Sequence, residues 1–417
     1  MMTNFNFQVT PNGNPKFEPS VAVNLLITGI MVAVAVDTTT GVPLIGLYRS
    51  LDGGFSWANS LLPLPAGFTG AEAPVVSYGF PNLFTVAAHV FPGPDSGTTV
   101  AYFSTDNGAT FSAPVIIAPG FGTYINNDET NVVIDTSQSS PFLGNTYISY
   151  NHQFNVANGG NSTAFVQALQ SNSTVWSQPI LLSAESDQVE RPDITVDLTG
   201  NVFAAWVTVN PSFRFIVRVS LDGGRTFDGA VVVSNVVPVP SPLPVVGYNF
   251  RVLTFAAISS DRSVGPFTGT VYAIWQDNRQ GYADIFMAKR NPNDGSWSAP
   301  VSITGAPAGS QNFFPDIDVD PLTGVVNVIY YSNQINGFDL DVYVARSING
   351  GATFTNTRIT NQSFNPNGNS PVPVPLIGDY ISITSVPPGG YIGVWLSTQP
   401  VGTQNIFAGY SDTIITP

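Results

Sequence analysis

Ser220-Leu221-Asp222-Gly223-Gly224-Arg225-Thr226-Phe227 is the clearest copy of an eight-residue stretch that this chain repeats. Other copies run Ser50 to Trp57 (SLDGGFSW) and Ser104 to Phe111 (STDNGATF). A late copy, Ser347 to Phe354, carries Asn349 where the others carry Asp. Each copy lies between two short, alternating apolar runs. That arrangement predicts a hairpin turn: Asp and the glycines supply the turn conformation, and the final aromatic folds back under the hairpin.

Outward from these turns the chain resolves into similar units. They start near Glu18, Glu72, Asn131, Pro192, Arg251, Pro315 and Tyr380. The first six each contain four predicted strands. In the third and fifth the turn is worn, leaving Trp176 and Gly295-Ser296-Trp297. The seventh has three strands, at Tyr380–Thr384, Tyr391–Ser397 and Asn405–Tyr410, and then reaches Ser411-Asp412. Phe5 to Val9 forms an orphan strand at the other end, so it is assigned as the missing fourth. Repeated four-stranded units predict an all-β propeller of seven four-stranded blades, or six if the N-terminal unit is irregular. The N-terminal strand would close the last blade and remove an exposed edge. The whole chain, residues 1–417, reads as one domain.

Composition narrows the function classes. Of 417 residues, 43% are hydrophobic, enough for a full core. Only 10% are charged, the formal net charge is −14, and Lys16 and Lys289 are the only lysines. No basic stripe exists to bind nucleic acid or an anionic membrane. The absence of Cys excludes disulfides, thiolate metal sites and a Cys nucleophile. The apolar run Ser20 to Val36 is interrupted by Asn24, Thr28 and Gly29 and is short for a membrane span, so it reads as two buried strands. Met1 to Thr10 has neither the basic nor the apolar region of a signal peptide. An acidic surface poor in Lys and rich in Asn, Thr and Ser nevertheless suits an extracellular or cell- or spore-surface protein.

The Ser-x-Asp-x-Gly-x-Thr-(Trp/Phe) turn resembles the Asp-box (BNR repeat) of sialidases and the wider sialidase-like propeller superfamily. The runs Ile274-Trp275-Gln276-Asp277-Asn278-Arg279 and Asp341-Val342-Tyr343-Val344-Ala345-Arg346-Ser347 resemble blades of bacterial Asp-box repeat proteins. The resemblance spans nearly the whole chain. It implies the fold; activities across the superfamily vary. For a sialidase it also implies three arginines on the substrate carboxylate, one in an Arg-Ile-Pro motif of the first blade, a Tyr–Glu nucleophile pair and an Asp acid/base. Here the first-blade stretch is Pro15-Lys16-Phe17-Glu18-Pro19, without Arg, which sets the chain apart from true sialidases. Phe250-Arg251-Val252 is a partial echo in the fifth blade. No Glu follows Glu190, so a Tyr–Glu pair would fall on Glu185 or Glu190.

Strand direction alternates within a blade, so the Asp-box turns all lie on one face. Asp52, Asp106, Asp222 and Asn349 are therefore assigned structural roles. The opposite rim collects Glu72, Asp128, Glu129, Glu185, Asp187, Glu190, Arg191, Arg251 and Asp379 from the links between blades. His152, Asp277, Arg279, Tyr282, Asp339 and Asp341 come from loops between second and third strands. The long links Ala118–Thr130, Asn235–Asn249 and Asn361–Gly378 are expected to form a binding surface there. Arg191, Arg251 and Arg279 could converge on it. Glu72, Asp128 and Glu190 stand at comparable places before their innermost strands. They are candidate glycosidase carboxylates, or ligands of Ca²⁺ or a similar hard cation. His89 reads as a structural strand residue. His152, with Tyr150 or Tyr124 and Arg191, has the residue types of a polysaccharide lyase that acts on a uronate. Phe121, Tyr124, Phe154, Tyr248, Tyr282 and Phe338 are candidate exposed contacts for sugar rings. The leading expectation is a binding module for a glycan or surface protein. The alternative is a glycoside hydrolase using rim carboxylates, or a lyase using His152.

Overall fold

A computed structural model describes residues 6–93, 96–155, 158, 160–367, 376–400 and 402–410. Seven four-stranded antiparallel sheets form a ring, a seven-bladed β-propeller. The first strands of neighbouring blades pack against one another around a central channel. They are Lys16–Val23, Gly70–Gly79, Ile125–Ile134, Gln188–Val196, Ala257–Ser260, Asn312–Val319 and Ser382–Val386. Asn6–Gln8 pairs antiparallel with Asn405–Tyr410, so the N-terminus supplies the outer strand of the last blade, as the repeat count predicts. Phe5, Ser411 and Asp412 lie outside the described residues. The run Ser20 to Val36 spans the first two strands of blade one, both buried. Among the described residues no helix is long and apolar enough to cross a membrane.

Each copy of the eight-residue box closes on itself. Asp222 Oδ1 accepts the Thr226 amide at 2.9 Å and Oδ2 the Thr226 hydroxyl at 2.6 Å, while Ser220 Oγ accepts the Gly224 amide at 2.9 Å. Asp52 and Asp106 repeat the pattern with Ser56 and Thr110. Asn349 does the same, donating to Thr353 Oγ1 in place of accepting from it. Thr110 hydroxyl and amide hold Asp106 down to a pKa of about 2. The second glycine of the box has a further task. Gly224, at φ +78°, lies in blade four but faces blade three, where an added Cβ would sit 2.8 Å from the Tyr147 ring. Gly54 faces Tyr410 of blade seven in the same way. The box is thus a turn and a spacer between blades.

The first strands begin earlier than their apolar alternation suggests, because five of them pass through a β-bulge. Two residues oppose one at Glu18-Pro19, Ala73-Pro74, Glu129-Thr130, Arg191-Pro192 and Phe314-Pro315. The bulge breaks the period of two, so a reading by alternation starts the strand only after it. At four of these bulges a non-glycine residue takes a left-handed φ: Glu18 (56°), Ala73 (49°), Glu129 (52°) and Phe314 (52°). Such backbone is uncommon for residues with a Cβ and is held here by the ring.

Gly224→Ala is expected to lower stability by ~1–3 kcal/mol through overpacking. Gly41→Ala, at a similar φ of +89° with nothing within 4 Å, should cost less. Urea midpoints of the two variants check this; equal losses would assign the effect to backbone conformation alone.

Candidate functional site

The bulges aim their residues at one end of the channel. There a cavity of about 60 Å³ is lined by Glu18, Glu72, Ala73, Asp128, Glu129, Arg191, Arg251, Phe255, Asp379 and Tyr380. Glu18, Ala73, Glu129, Arg191, Phe255 and Tyr380 come from corresponding places in six successive blades. Below it the channel opens into a cavity of about 190 Å³ whose walls carry Asp193, Asp316 and Asp318. Because strands alternate in direction, the repeated eight-residue turns lie on the other face, as expected.

Bulge carboxylates also bind the next blade. Glu129 Oε2 accepts the Arg191 amide at 2.7 Å and Asn151 Nδ2 at 3.1 Å. Glu18 Oε2 accepts the Ala73 amide at 3.3 Å. Arg251 forms a two-pronged ion pair with Asp379, with Nε 2.9 Å from Oδ1. The Arg191 guanidinium lies 4.0 Å above the Tyr380 ring, and Tyr380 donates its hydroxyl to Pro74 O at 3.0 Å. His89 Nδ1 stands 3.2 Å from Asp128 Oδ1, so this histidine supports the mouth as well as its strand.

Crowded carboxylates out of water resist ionisation. Burial, then the negative charge of Asp379, raises Glu18 well above the ordinary range. Burial and Glu190 do the same to Glu129. Glu190 is raised to about 7 by burial and by Asp379, with Arg251 acting the other way. Burial raises Asp379 against the pull of Arg251, and raises Glu72 against that of His89. Deeper in the channel, burial lifts Asp193 to about 6 and Asp316 to about 7.

The structure therefore gathers Glu72, Asp128, Arg191 and Arg251 around one cavity. Glu190 stands beside them, close enough to feel Asp379, Asp128 and Arg251, without lining the cavity itself. Among the described residues no three histidine or carboxylate side chains are spaced to hold a metal ion. His152 is elsewhere: its Nδ1 lies 2.6 Å from Asn127 Oδ1, its ring meets Phe165 edge-on, and it lines neither cavity. Tyr150 is buried against Phe165 and bonds Gln167. Arg279 does not join the other arginines. It is held by Asp277 and Asn235 O and stacks on Phe286 at 4.6 Å.

The aromatic candidates divide. Phe121, Tyr124 and Phe154 are 68%, 55% and 55% exposed and adjoin one another on the rim of blade three. Tyr282 is half-buried. Tyr248 corrects the expectation of an exposed contact. It is 6% exposed and donates its hydroxyl to Phe338 O. Its link packs Val239, Leu243 and Tyr248 onto the core beside Phe313 and Leu340, since a Pro-rich segment with this much apolar surface buries it. Part of Asn361–Gly378 lies outside the described residues.

Sequence reasoning gave Glu18, Phe255 and Tyr380 no role in the site. The signal was present in the alignment of repeats: each is the residue before the proline, or its counterpart, that heads an innermost strand.

No family model and no curated protein matches the chain. Solved structures do. An α-L-arabinofuranosidase from Fusarium graminearum, complexed with an iminosugar inhibitor, superposes at TM-score 0.54 and 13% identity, over 98% of both chains. An α-L-arabinanase from Penicillium chrysogenum complexed with arabinobiose gives 0.51 and 13%, over 98% of this chain and 97% of the other. A sialidase from Streptococcus pneumoniae gives 0.51 and 10%, with the same coverage. At these identities the likeness is one of fold.

The raised carboxylates fix the sign of a pH effect. A carboxyl group whose folded pKa exceeds its unfolded value binds more protons in the native state. Its contribution therefore favours folding at low pH and is lost as pH rises from about 4 through about 7. The urea midpoint is expected to fall between pH 5.5 and pH 8, and Asp316→Asn should flatten that slope. An unchanged slope in the variant would assign the effect to net charge.

Proposed function

We propose that the chain is a carbohydrate-active propeller, a glycoside hydrolase that binds a glycan at the acidic mouth and cleaves it with paired carboxylates. The observation that carries this reading is the convergence of carboxylates and arginines from several blades on one cavity. Glycosidic cleavage needs one protonated and one ionised carboxyl group across the bond. Glu190, raised to about 7, supplies the proton donor near neutral pH. Asp379, clamped by Arg251, supplies the ionised partner. The arabinan- and sialoside-related propellers that share the fold support a carbohydrate ligand. The acidic, lysine-poor composition supports action outside the cell or on a cell or spore surface.

A second reading, a module that binds a glycan or surface protein without cleavage, is favoured by the exposed Phe121, Tyr124 and Phe154. Sugar rings stack on such faces, and Phe154 stands three residues, about 10 Å, along its strand from Asn151, the partner of Asp128.

The test is a reducing-sugar assay on arabinan, sialylated oligosaccharides and chitosan oligosaccharides, run beside binding isotherms. Hydrolysis is expected on at least one, declining as pH rises through about 7. Glu190→Gln should lower kcat by ~10²- to 10⁴-fold. Binding without sugar release on every substrate bound selects the second reading; release that survives Glu190→Gln removes the assigned acid.

A further inference from the structure

We infer that the mouth recognises a positively charged group on its ligand, the ammonium of a sugar with a free amine, and that Glu18 receives it. The inference rests on the reading that the mouth binds a glycan.

The charges at the mouth do not balance. Glu18, Glu72, Asp128, Glu129, Glu190 and Asp379 face two arginines, Arg191 and Arg251, and one histidine, His89, which stands beside Asp128. Arg251 is taken up by Asp379. Arg191 has no carboxylate within 4 Å among the described residues; its guanidinium lies against the Tyr380 face, and its buried Nε has no hydrogen-bond partner. One carboxylate is left poorly served. Glu18 is 6% exposed. It lines the cavity; its Oε2 has the weak Ala73 contact, and its Oε1 has no hydrogen-bond partner among the described residues.

A carboxylate buried in this way, beside three others, lacks a counter-charge. An ammonium placed in the cavity would supply one and donate the missing hydrogen bond, a charge-assisted contact of the stronger kind. A uronate or sialate would instead set its own carboxylate against four of the same sign. The ring faces of Tyr380 and Phe255 are already turned to the Arg191 guanidinium, at 4.0 and 6.0 Å, so the carboxylates are left to supply the contact with the ligand. The left-handed backbone at Glu18 holds its carboxyl in place before any ligand arrives.

Binding of a cation also draws the neighbouring carboxyl groups towards ionisation. Proton release should therefore accompany it, since burial, then Asp379 and Glu72, raise Glu18 well above the ordinary carboxylate range, with Arg251 pulling the other way.

The experiment is calorimetric titration of the full chain with glucosamine tetrasaccharide, its N-acetylated counterpart, galacturonic acid tetrasaccharide and calcium chloride alone. Runs at pH 6.5 in two buffers of different ionisation heat read the protons released. The free-amine sugar is expected to bind at least ~10-fold tighter than the acetylated one, with proton release and weakening in high salt. Glu18→Gln, which keeps an acceptor for the Ala73 amide, should erase the preference. Should that variant fail to fold, Glu72→Gln is expected to reduce the preference. Equal affinity for amine and acetyl forms, tighter binding of the galacturonate, or a preference untouched by Glu18→Gln would overturn the inference. So would calcium that binds alone and displaces the amine, since the counter-charge would then be a metal ion. Cleavage of a neutral glycan with no amine preference would sink this inference and leave the hydrolase standing; amine-selective binding without cleavage would do the reverse.

Discussion

The innermost strands of a propeller pair on one edge only. Their other edge faces the neighbouring blade across the channel wall, too far and too steeply angled for a continuous sheet. The backbone amides on that edge are buried and need acceptors. In this protein side chains provide them, blade by blade. Val76 N donates to Ser20 Oγ and Ile134 N to Ser77 Oγ. Arg191 N donates to Glu129, Ile258 N to Asp193, Phe314 N to Gln276 and Ile383 N to Asp316. Lys16 N closes the circle on Gln404 O. Blades two to seven each depend in this way on a polar side chain of the one before, and blade one on a backbone carbonyl of blade seven.

That solution shapes the chemistry. The strongest acceptors are carboxylates, and a ring of first strands brings them together around one axis. Burial raises the pKa values of Glu190, Asp193 and Asp316 together, and neighbouring carboxylates add to the rise at Glu190 and Asp316. At the mouth the bulges turn the same residues from stitches into a lining. Glu129 does both, holding the Arg191 amide while facing the cavity. Structural satisfaction and a reactive, proton-rich site are two consequences of one packing problem. The eight-residue turns on the opposite face separate these demands: their carboxylates meet nearby hydroxyl and amide donors and stay ionised.

Much of this was legible before the fold was known. The repeat of Ser220–Phe227 and its copies fixes the turns, the turns count the blades, and the orphan N-terminal strand indicates how the ring closes. The face of the Asp-boxes follows from strand alternation alone. Glu72, Asp128, Glu190, Arg191 and Arg251 could be chosen because they precede the innermost strands. Glu18 needed the repeats to be aligned, because a β-bulge shifts its register by one residue and alternation does not show which side chain then turns to the axis; Tyr380 precedes its strand in a blade without a bulge, so only its place in the repeat marks it. Tyr248 looks exposed in sequence for a related reason. Its link folds back onto the core, and nothing local records that.

What the sequence determined by itself was therefore the local and periodic part: hairpin turns, strand count, blade number and the identity of the closing strand. These depend on residues a few positions apart, repeated often enough to be read. Which carboxylates meet was decided only by the tertiary ring. Glu18 and Asp379 are separated by almost the whole chain and share a site because the first and last blades are neighbours. Electrostatic coupling depends on distance through space and on burial, and neither is written in the order of residues until the ring has closed.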